Sequence, residues 1–131
     1  ETIDLNSASV ATFKRIPGVG DEYAKRMYDY RKALGGFTSI NQLKEIKGFT
    51  GKRFDKIAPY VVIKSKHKLL KVNNLSKDKL LIHPYLSEKQ VETILDIRSE
   101  NKRIESFDDL LKTTEFRPRD KDRLNEYLSF D

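Results

Sequence analysis

The sequence of 131 residues contains no cysteine and only two histidines. Without cysteine the chain has no disulfide bond, no thiolate metal site and no thiol nucleophile, and its redox compartment stays undetermined. His67 and His83 have no carboxylates at a spacing typical of a metal site, and we expect His83 to be an exposed or partly buried imidazole. The residues therefore predict no enzymatic activity, no metal and no cofactor.

Long apolar segments are also missing. The longest runs, such as VVI at residues 61–63 and LLI at residues 80–82, are far shorter than the roughly 20 residues of a membrane-spanning helix. We therefore expect no membrane contact from this chain. The chain begins with Glu1 and shows no charged segment followed by an apolar one, so we expect it to be an excised or processed fragment.

The positive charge is concentrated in one half of the chain. Residues 1–68 contain 14 Lys and Arg against 7 Asp and Glu, whereas residues 69–131 contain 12 against 13. An uneven distribution of this kind favours a polyanionic partner for the first half, although a basic balance is as often a matter of solubility.

An internal repeat relates the two halves. A shift of 67 positions aligns residues 4–63 with residues 71–130 without a gap, and the identical pairs include Arg31 with Arg98. The apolar positions coincide as well, which is typical of a duplicated unit. We therefore predict two tandem domains of one fold, at residues 1–65 and 69–131, with a polar, basic linker at residues 64–68.

Each half carries the signals of four to five short helices. In the first half, Ser9 stands where an N-cap hydroxyl satisfies the first amides of a helix, and Ser39 with Gln42 has the spacing of a capping box. Gly35 ends the longest predicted helix, and Pro59 stops the last one. The second half repeats most of these signals. The predicted fold is all-α, with two compact units.

The stretch IPGVG at residues 16–20 connects two of the predicted helices. We expect Gly18 and Gly20 to adopt positive φ and to allow a close approach of a ligand, because neither has a Cβ atom. The amides of Val19, Gly20 and the next helical turn then point outward at the positive end of the helix dipole, where an anion fits. The alternative is a tight helix–helix turn that binds nothing.

Five short motifs occur together in the first half. They are Leu5-Asn6, Pro-Gly-Val-Gly at residues 17–20, Tyr30-Arg31, Gly36-Phe37 and Pro59-Tyr60. With these motifs, nearly the whole first half resembles the ComEA-type helix-hairpin-helix domain, which is found in bacterial DNA-uptake proteins. The second half resembles this family only in outline.

The resemblance implies a SAM-like all-α unit with two hairpins, each binding a nucleic-acid phosphate through backbone amides with little regard for sequence. It implies duplex DNA as the partner, with single-stranded DNA as the alternative, and Lys25 as a cation that reaches toward the strand. It also implies a competence-like role in DNA uptake and an extracytoplasmic, membrane-anchored parent protein. Related folds hold a monovalent cation at the hairpin, so the resemblance extends to a K⁺ or Na⁺ site at residues 17–20.

The stretch KGFTGKRFDK, residues 47–56, is the second hairpin of this resemblance. Gly48 matches the first glycine of the family pattern, whereas Thr50 stands where the second is expected and Gly51 follows one place late. We expect Thr50 to cap the next helix, and either phosphate contact or a solvated basic helix accounts for the cations that follow. The predicted DNA-binding residues are Gly18, Val19, Gly20, Lys25, Gly48, Thr50, Gly51, Lys52 and Arg53, with Lys56 as a further nearby cation.

The second copy lacks the hairpin glycines. Tyr85, Ser87 and Glu115 stand at the positions of the two first-hairpin glycines and the first glycine of the second hairpin. A side chain at 85 and a carboxylate at 115 obstruct or repel a phosphate, so we predict DNA binding by the first unit alone. Because Arg31 persists as Arg98 beside the altered hairpin, we expect both arginines to serve the fold.

A protein-interaction or scaffolding role is the competing hypothesis. The second unit keeps the scaffold without the phosphate-binding residues, which suits contact with a protein partner. Tyr85 and Leu86 are predicted to be exposed at the hairpin tip, where such a partner would contact them.

Overall fold

The computed structural model describes residues 1–100 and 102–131. Within these residues the chain divides into two compact units, Glu1–His67 and Lys68–Asp131, which we call the first and the second unit. Helices make up most of the regular structure of both units, which agrees with the predicted all-α class.

The first unit consists of short helices closed by a pair of two-residue strands. In chain order the elements are β1 Ile3–Asp4, α1 Val10–Phe13, α2 Asp21–Leu34, a 3₁₀ helix Ile40–Glu45, α3 Lys52–Ile57, a second 3₁₀ helix Ala58–Tyr60 and β2 Val61–Val62.

Local signals in the sequence set the ends of these helices. The Ser9 hydroxyl accepts a hydrogen bond from the Thr12 amide at 3.1 Å, and Gly35 ends α2 in the left-handed conformation with φ of 85°. Ser39 and Gln42 form the predicted capping box, but the segment that follows is a 3₁₀ helix and not an α-helix.

The strand pair was not predicted. β1 pairs in parallel with β2, with Ile3 opposite Val61, and the Leu5 amide donates to the Val62 carbonyl at 2.9 Å. Two residues are too few to show the alternation that marks a strand in a sequence. The pairing depends instead on the fold, which brings the two ends of the unit together.

Most of the predicted linker folds back onto the first unit. The carboxylate of Asp4 accepts hydrogen bonds from the Lys64 amide at 3.0 Å, the Ser65 amide at 3.1 Å and the Ser65 hydroxyl at 2.6 Å. His67 lies so close to Gly36 that a Cβ at position 36 would be 2.8 Å from the His67 Cβ. Residues 64–67 therefore belong to the first unit, and the boundary between the two units lies at the end of the predicted linker.

The pKa of the Asp4 carboxyl lies well below its usual range. Partial burial raises this pKa, but the hydrogen bonds from Lys64, Ser65, Asn6 and Ser7 lower it by more. Ionised Asp4 therefore stabilises the folded unit at pH values above the ordinary aspartate pKa of about 3.9. This contribution is lost as the pH falls below that value toward the folded-state pKa.

We expect Asp4→Asn to lower the free energy of unfolding of the first unit by about 1–2 kcal/mol at neutral pH. The substitution leaves one acceptor oxygen where the carboxylate offers two. Partial exposure of the site limits the loss of stability. The difference from wild type is expected to shrink below about pH 4, because Asp4 then binds a proton in the unfolded state that it must release on folding. Amide hydrogen exchange in the first unit, measured across this pH range, tests both expectations. Asp29→Asn is the control, since its ion pair with Lys25 is exposed, and an equal loss in both variants would contradict this role of Asp4.

The core of the first unit is apolar, and one arginine crosses its edge. Arg31 Nη1 donates to the Leu5 carbonyl at 2.9 Å and to the Ala8 carbonyl at 2.6 Å, which holds the segment before α1 against α2. The largest side chains with no measurable exposure are Phe13, Phe37, Phe49, Leu5, Met27 and Leu43.

The second unit has a similar order of elements in its described residues. They are β3 Leu70–Lys71, α4 Lys77–Ile82, α5 Glu88–Ser99, α6 Phe107–Leu111, α7 Pro118–Leu124 and β4 Leu128–Ser129, with β3 parallel to β4.

The arginine contact recurs in the second unit. Arg98 Nη1 donates to the Leu75 carbonyl at 2.6 Å, as Arg31 does to the Ala8 carbonyl. Asn73 bonds both backbone groups of Ile104 in the same way that Asn6 bonds those of Phe37. Because these contacts occur with and without the hairpin glycines, they belong to the fold, as predicted for the two arginines.

Candidate nucleic-acid interface

The corner at residues 17–20 joins α1 to α2, and its two glycines differ. Gly18 has a φ of 90°, as predicted, and this conformation is strained for any residue with a Cβ. Gly20 has a φ of −96° in the extended region, so the prediction of positive φ there was wrong. A Cβ at Gly20 would meet nothing within 4 Å. Only Gly18 needs the conformational freedom of glycine.

The amides that remain available to an anion at this corner are not the predicted ones. The Val19 amide donates to the Ile16 carbonyl at 3.0 Å and its side chain is 5% exposed, so Val19 packs into the core and offers no donor. The first amide of α2 with an internal acceptor belongs to Ala24. In the described residues, the amides of Gly20, Asp21 and Glu22 donate to no protein acceptor. These amides lie at the positive end of a 14-residue helix, where an anion is stabilised.

Two carboxylates in the first turn of α2 are paired with cations. Lys14 Nζ lies 2.5 Å from Asp21 Oδ1, and Arg26 Nη2 lies 2.6 Å from Glu22 Oε1. Exposed pairs of this kind contribute about 0–1 kcal/mol each to stability. They do, however, offset the negative charge that would otherwise repel an anion at the helix start.

The second corner has the same turn as the first. The Phe49 amide donates to the Ile46 carbonyl at 3.0 Å, as the Val19 amide does in the first corner. Gly48 has a φ of 91°, and a Cβ there would lie 2.9 Å from Cε1 of Tyr23. Position 48 therefore requires glycine for its backbone and for the packing of its neighbour.

Thr50 does not cap the helix that follows. The N-cap of α3 is Gly51, with a φ of 60°, and no side chain bonds the first amides of this helix. The prediction for Thr50 was wrong because the glycine one place later takes the position of the cap. Both residues are exposed at the tip of the corner.

The first corner and α3, the helix that follows the second corner, meet at one cleft, which we call the hairpin cleft. Arg53 Nη1 approaches the Gly18 carbonyl to 3.4 Å across it. Its lining contains three cations and no carboxylate, so the field inside it is positive. The lining residues are Pro17, Gly18, Lys52, Arg53, Lys56 and Ile57.

Tyr23, in the first turn of α2, supports the cation nearest to Gly18. The guanidinium carbon of Arg53 lies 3.8 Å from the centroid of the Tyr23 ring. The same ring packs edge-on against Phe49, with centroids 5.4 Å apart and an angle of 78° between the planes. The sequence analysis did not identify Tyr23. A signal for it exists, since the two halves differ at this position and the second half has Gln90 there.

Lys25 lies outside the hairpin cleft. Its Nζ is 3.1 Å from Asp29 Oδ2, in an exposed pair one turn along α2. The structure therefore brings together Gly18, Lys52 and Arg53 of the predicted set, with Lys56 in addition, and leaves Lys25 on a neighbouring surface.

The family comparison agrees with this geometry. A family model described as a helix-hairpin-helix motif matches residues 1–62. This match covers nearly the whole first unit, which therefore carries a helix-hairpin-helix motif. Motifs of this family commonly bind nucleic acid, so the match supports DNA binding in general.

The chain is also similar to parts of longer proteins. It is 23% identical, over 98% of its length, to the endonuclease/exonuclease/phosphatase family domain-containing protein 1 of Xenopus laevis, and 21% identical over 86% to the Danio rerio protein of that name. It covers 27% and 24% of these proteins, or about a quarter of their length. A segment of 50 aligned residues, 38% of this chain and 8% of the relative, is 42% identical to the kinesin-like protein KIF22 of Danio rerio. No solved structure matches the chain significantly.

In the second unit, α5 corresponds to α2, and side chains occupy amides at its start. Ser87 caps α5, its hydroxyl accepting from the Gln90 amide at 3.1 Å while Gln90 Oε1 accepts from the Ser87 amide at 3.0 Å. Two of the amides that would face an anion are therefore occupied. The first unit has no such side-chain cap at Gly20.

The tip of this second corner is buried, contrary to the prediction. Tyr85 is 8% exposed and Leu86 is 6% exposed. The Tyr85 ring packs edge-on against Tyr127, with centroids 5.8 Å apart, and Arg123 covers it at 3.9 Å. His83 is 2% exposed and is part of the same cluster, so it is a core residue and not a surface imidazole.

In residues 1–100 and 102–131, no three His, Asp or Glu side chains are placed to hold a metal ion. The same residues contain no helix with the length and apolar character needed to cross a membrane.

Proposed function

We propose that the helix-hairpin-helix domain binds duplex DNA without regard to sequence, by holding sugar-phosphate backbone in the hairpin cleft. The observation that carries the proposal is the combination of unbonded amides at the start of α2 with the three cations of the cleft. Phosphate contacts of this kind position a protein on DNA but carry no information about the bases.

Duplex DNA fits the cleft better than a single strand. Proteins that bind single strands stack successive bases on open aromatic faces. Beside the hairpin cleft, Arg53 covers the ring of Tyr23, and Phe49 is buried. The lining of the cleft therefore offers positive charge but no free stacking surface.

We propose that the second unit is a further copy of the domain that has lost phosphate binding. The shared arginine contacts support common ancestry of the two units, and the capped start of α5 supports the loss. The DNA-uptake role, the extracytoplasmic parent protein and the K⁺ or Na⁺ site stay predictions from the resemblance.

Protein interaction through the second unit is the second candidate function. Leu81 and Ile82 on α4 are 38% and 61% exposed, whereas the first unit has Lys14 and Arg15 at these positions. An exposed apolar pair in place of two cations suits contact with a protein better than contact with a phosphate.

We also propose that the chain binds without catalysing a reaction and without a cofactor. The relatives named for an endonuclease/exonuclease/phosphatase family domain are about four times longer than the part that this chain spans. The residues of the hairpin cleft suit binding. We therefore place any hydrolysis by such a protein outside the part that this chain spans.

The test is a titration of the full chain with two duplexes of unrelated sequence, followed by amide NMR at several salt concentrations. We expect equal affinities, micromolar or weaker, and a slope of log K against log salt of about −2 to −4. The amides of Gly18, Gly20 and Asp21 are expected to shift, and those around Ser87 are expected to stay in place. Shifts confined to the second unit would refute the proposal.

A further inference from the structure

We infer that Tyr23 is a positioning residue that holds Arg53 over the hairpin cleft, so that the two hairpins grip DNA as one coupled site. This inference rests on the proposed function and adds the residue that aligns the two hairpins. Tyr23 itself contacts no DNA in this scheme and acts through Arg53.

Stacking, more than hydrogen bonding, sets the position of the Arg53 guanidinium. Its bond to the Gly18 carbonyl is long, at 3.4 Å, and therefore weak. The Tyr23 ring is 3.8 Å away, which is a close cation–π contact. No carboxylate pairs with Arg53 among the described residues, so most of its N–H donors remain available to an anion.

Tyr23 is held in turn by the second hairpin. Phe49 packs edge-on against its ring, and the missing Cβ of Gly48 leaves the space that the ring occupies. A continuous series of contacts therefore runs from Gly48 through Tyr23 and Arg53 to Gly18. Tyr23, in the first turn after the first hairpin, is thus held by Phe49 of the second hairpin. Arg53, in the first turn after the second hairpin, is held in turn by Tyr23.

The second unit has lost both partners of this contact. Gln90 and Asp120 stand at the positions of Tyr23 and Arg53. Gln90 Nε2 donates to the Glu115 carbonyl at 3.0 Å, and Asp120 accepts from the Arg117 amide at 2.8 Å. Asp120 serves the local cap of α7, whereas Gln90 joins the two corners of the second unit by a hydrogen bond and not through a stacked arginine, so the contact between Tyr23 and Arg53 is a feature of the first unit.

Tyr23→Leu is expected to weaken duplex binding by about threefold to tenfold, because a released Arg53 must lose rotamer freedom on binding. The slope of log K against log salt is expected to stay the same, since no charge is removed. Tyr23→Phe keeps the ring and is expected to retain the wild-type affinity. Tyr23→Gln, which copies the second unit, provides a second ring-free variant if Tyr23→Leu folds poorly.

The decisive experiment is a double-mutant cycle in the full chain with Arg53→Gln. If Tyr23 acts through Arg53, Tyr23→Leu has little further effect once Arg53 is gone. An equal loss of affinity in both backgrounds would show a merely structural role and would overturn the inference.

A second measurement tests the positioning without DNA. The Arg53 side-chain protons of the free protein are expected to show an upfield ring-current shift that disappears in Tyr23→Leu. Its absence in wild type overturns the inference alone, whatever the affinity for DNA. Failure of the wild-type chain to bind either duplex overturns the proposed function itself.

Discussion

Replacement of Lys52, Arg53 and Lys56 together by glutamine is expected to abolish measurable DNA binding while the helices remain intact. These three side chains are the cations of the hairpin cleft. Each phosphate contact that is lost reduces the salt slope by about one, so the slope of the triple variant falls to near zero. We expect a loss of affinity of about two orders of magnitude or more, measured by fluorescence anisotropy at low salt. Glutamine is a good helix former, and circular dichroism checks that α3 persists.

A matched variant in the second unit separates the cleft from the overall charge. Lys77, Lys79 and Lys89 are exposed, and their replacement by glutamine changes the net charge by the same amount. We expect this control to bind DNA with nearly the wild-type salt slope. If both triple variants lose affinity equally, binding follows the general positive field of the chain and the hairpin cleft is not the site.

Arg31→Met is expected to destabilise the first unit by about 3 kcal/mol. The guanidinium donates to the Leu5 and Ala8 carbonyls, and its removal leaves both without this partner beside the core. Burial lowers the pKa of Arg31, but the nearby Asp4 carboxylate opposes this effect. The arginine therefore stays protonated, because its ordinary pKa is above 12. Urea unfolding monitored through amide resonances of the first unit measures the loss.

The effect of Arg31→Met on DNA binding distinguishes a structural residue from a phosphate ligand. Under conditions in which the variant is folded, its salt slope is expected to match that of wild type. Lys32→Met is the control on the same helix, because this exposed side chain bonds no backbone carbonyl among the described residues. A reduced slope with unchanged stability would make Arg31 a ligand and would contradict the structural role.

Comparison of the two halves of the sequence correctly predicted a structural role for Arg31 and Arg98. Arg31 and Arg98 persist beside different hairpins, and both bond carbonyls in the structure. The capping box at Ser39 and the end of α2 at Gly35 were also predicted from local signals. These features depend on residues within a few positions of one another, and such signals can be read without a fold.

The individual hairpin donors were predicted less well. Glycine allows positive φ but does not require it, so the pattern could not show that Gly18 uses this freedom and Gly20 does not. The amide of Val19 is consumed by a turn that the sequence does not reveal. Tyr85 resembled an exposed tip residue, but Tyr127, which is distant in sequence, covers it.

By itself, the sequence determined that the chain is helical, that its two halves share one pattern and that the positive charge lies in the first half. Only the tertiary structure decided that the hairpins share one cleft, that Lys25 lies outside it and that Tyr23 supports Arg53. The physical reason is the distance along the sequence between the residues that determine each feature. Helix ends and turns depend on neighbours along the chain, whereas the cleft depends on contacts such as Arg53 with Gly18, which are 35 positions apart.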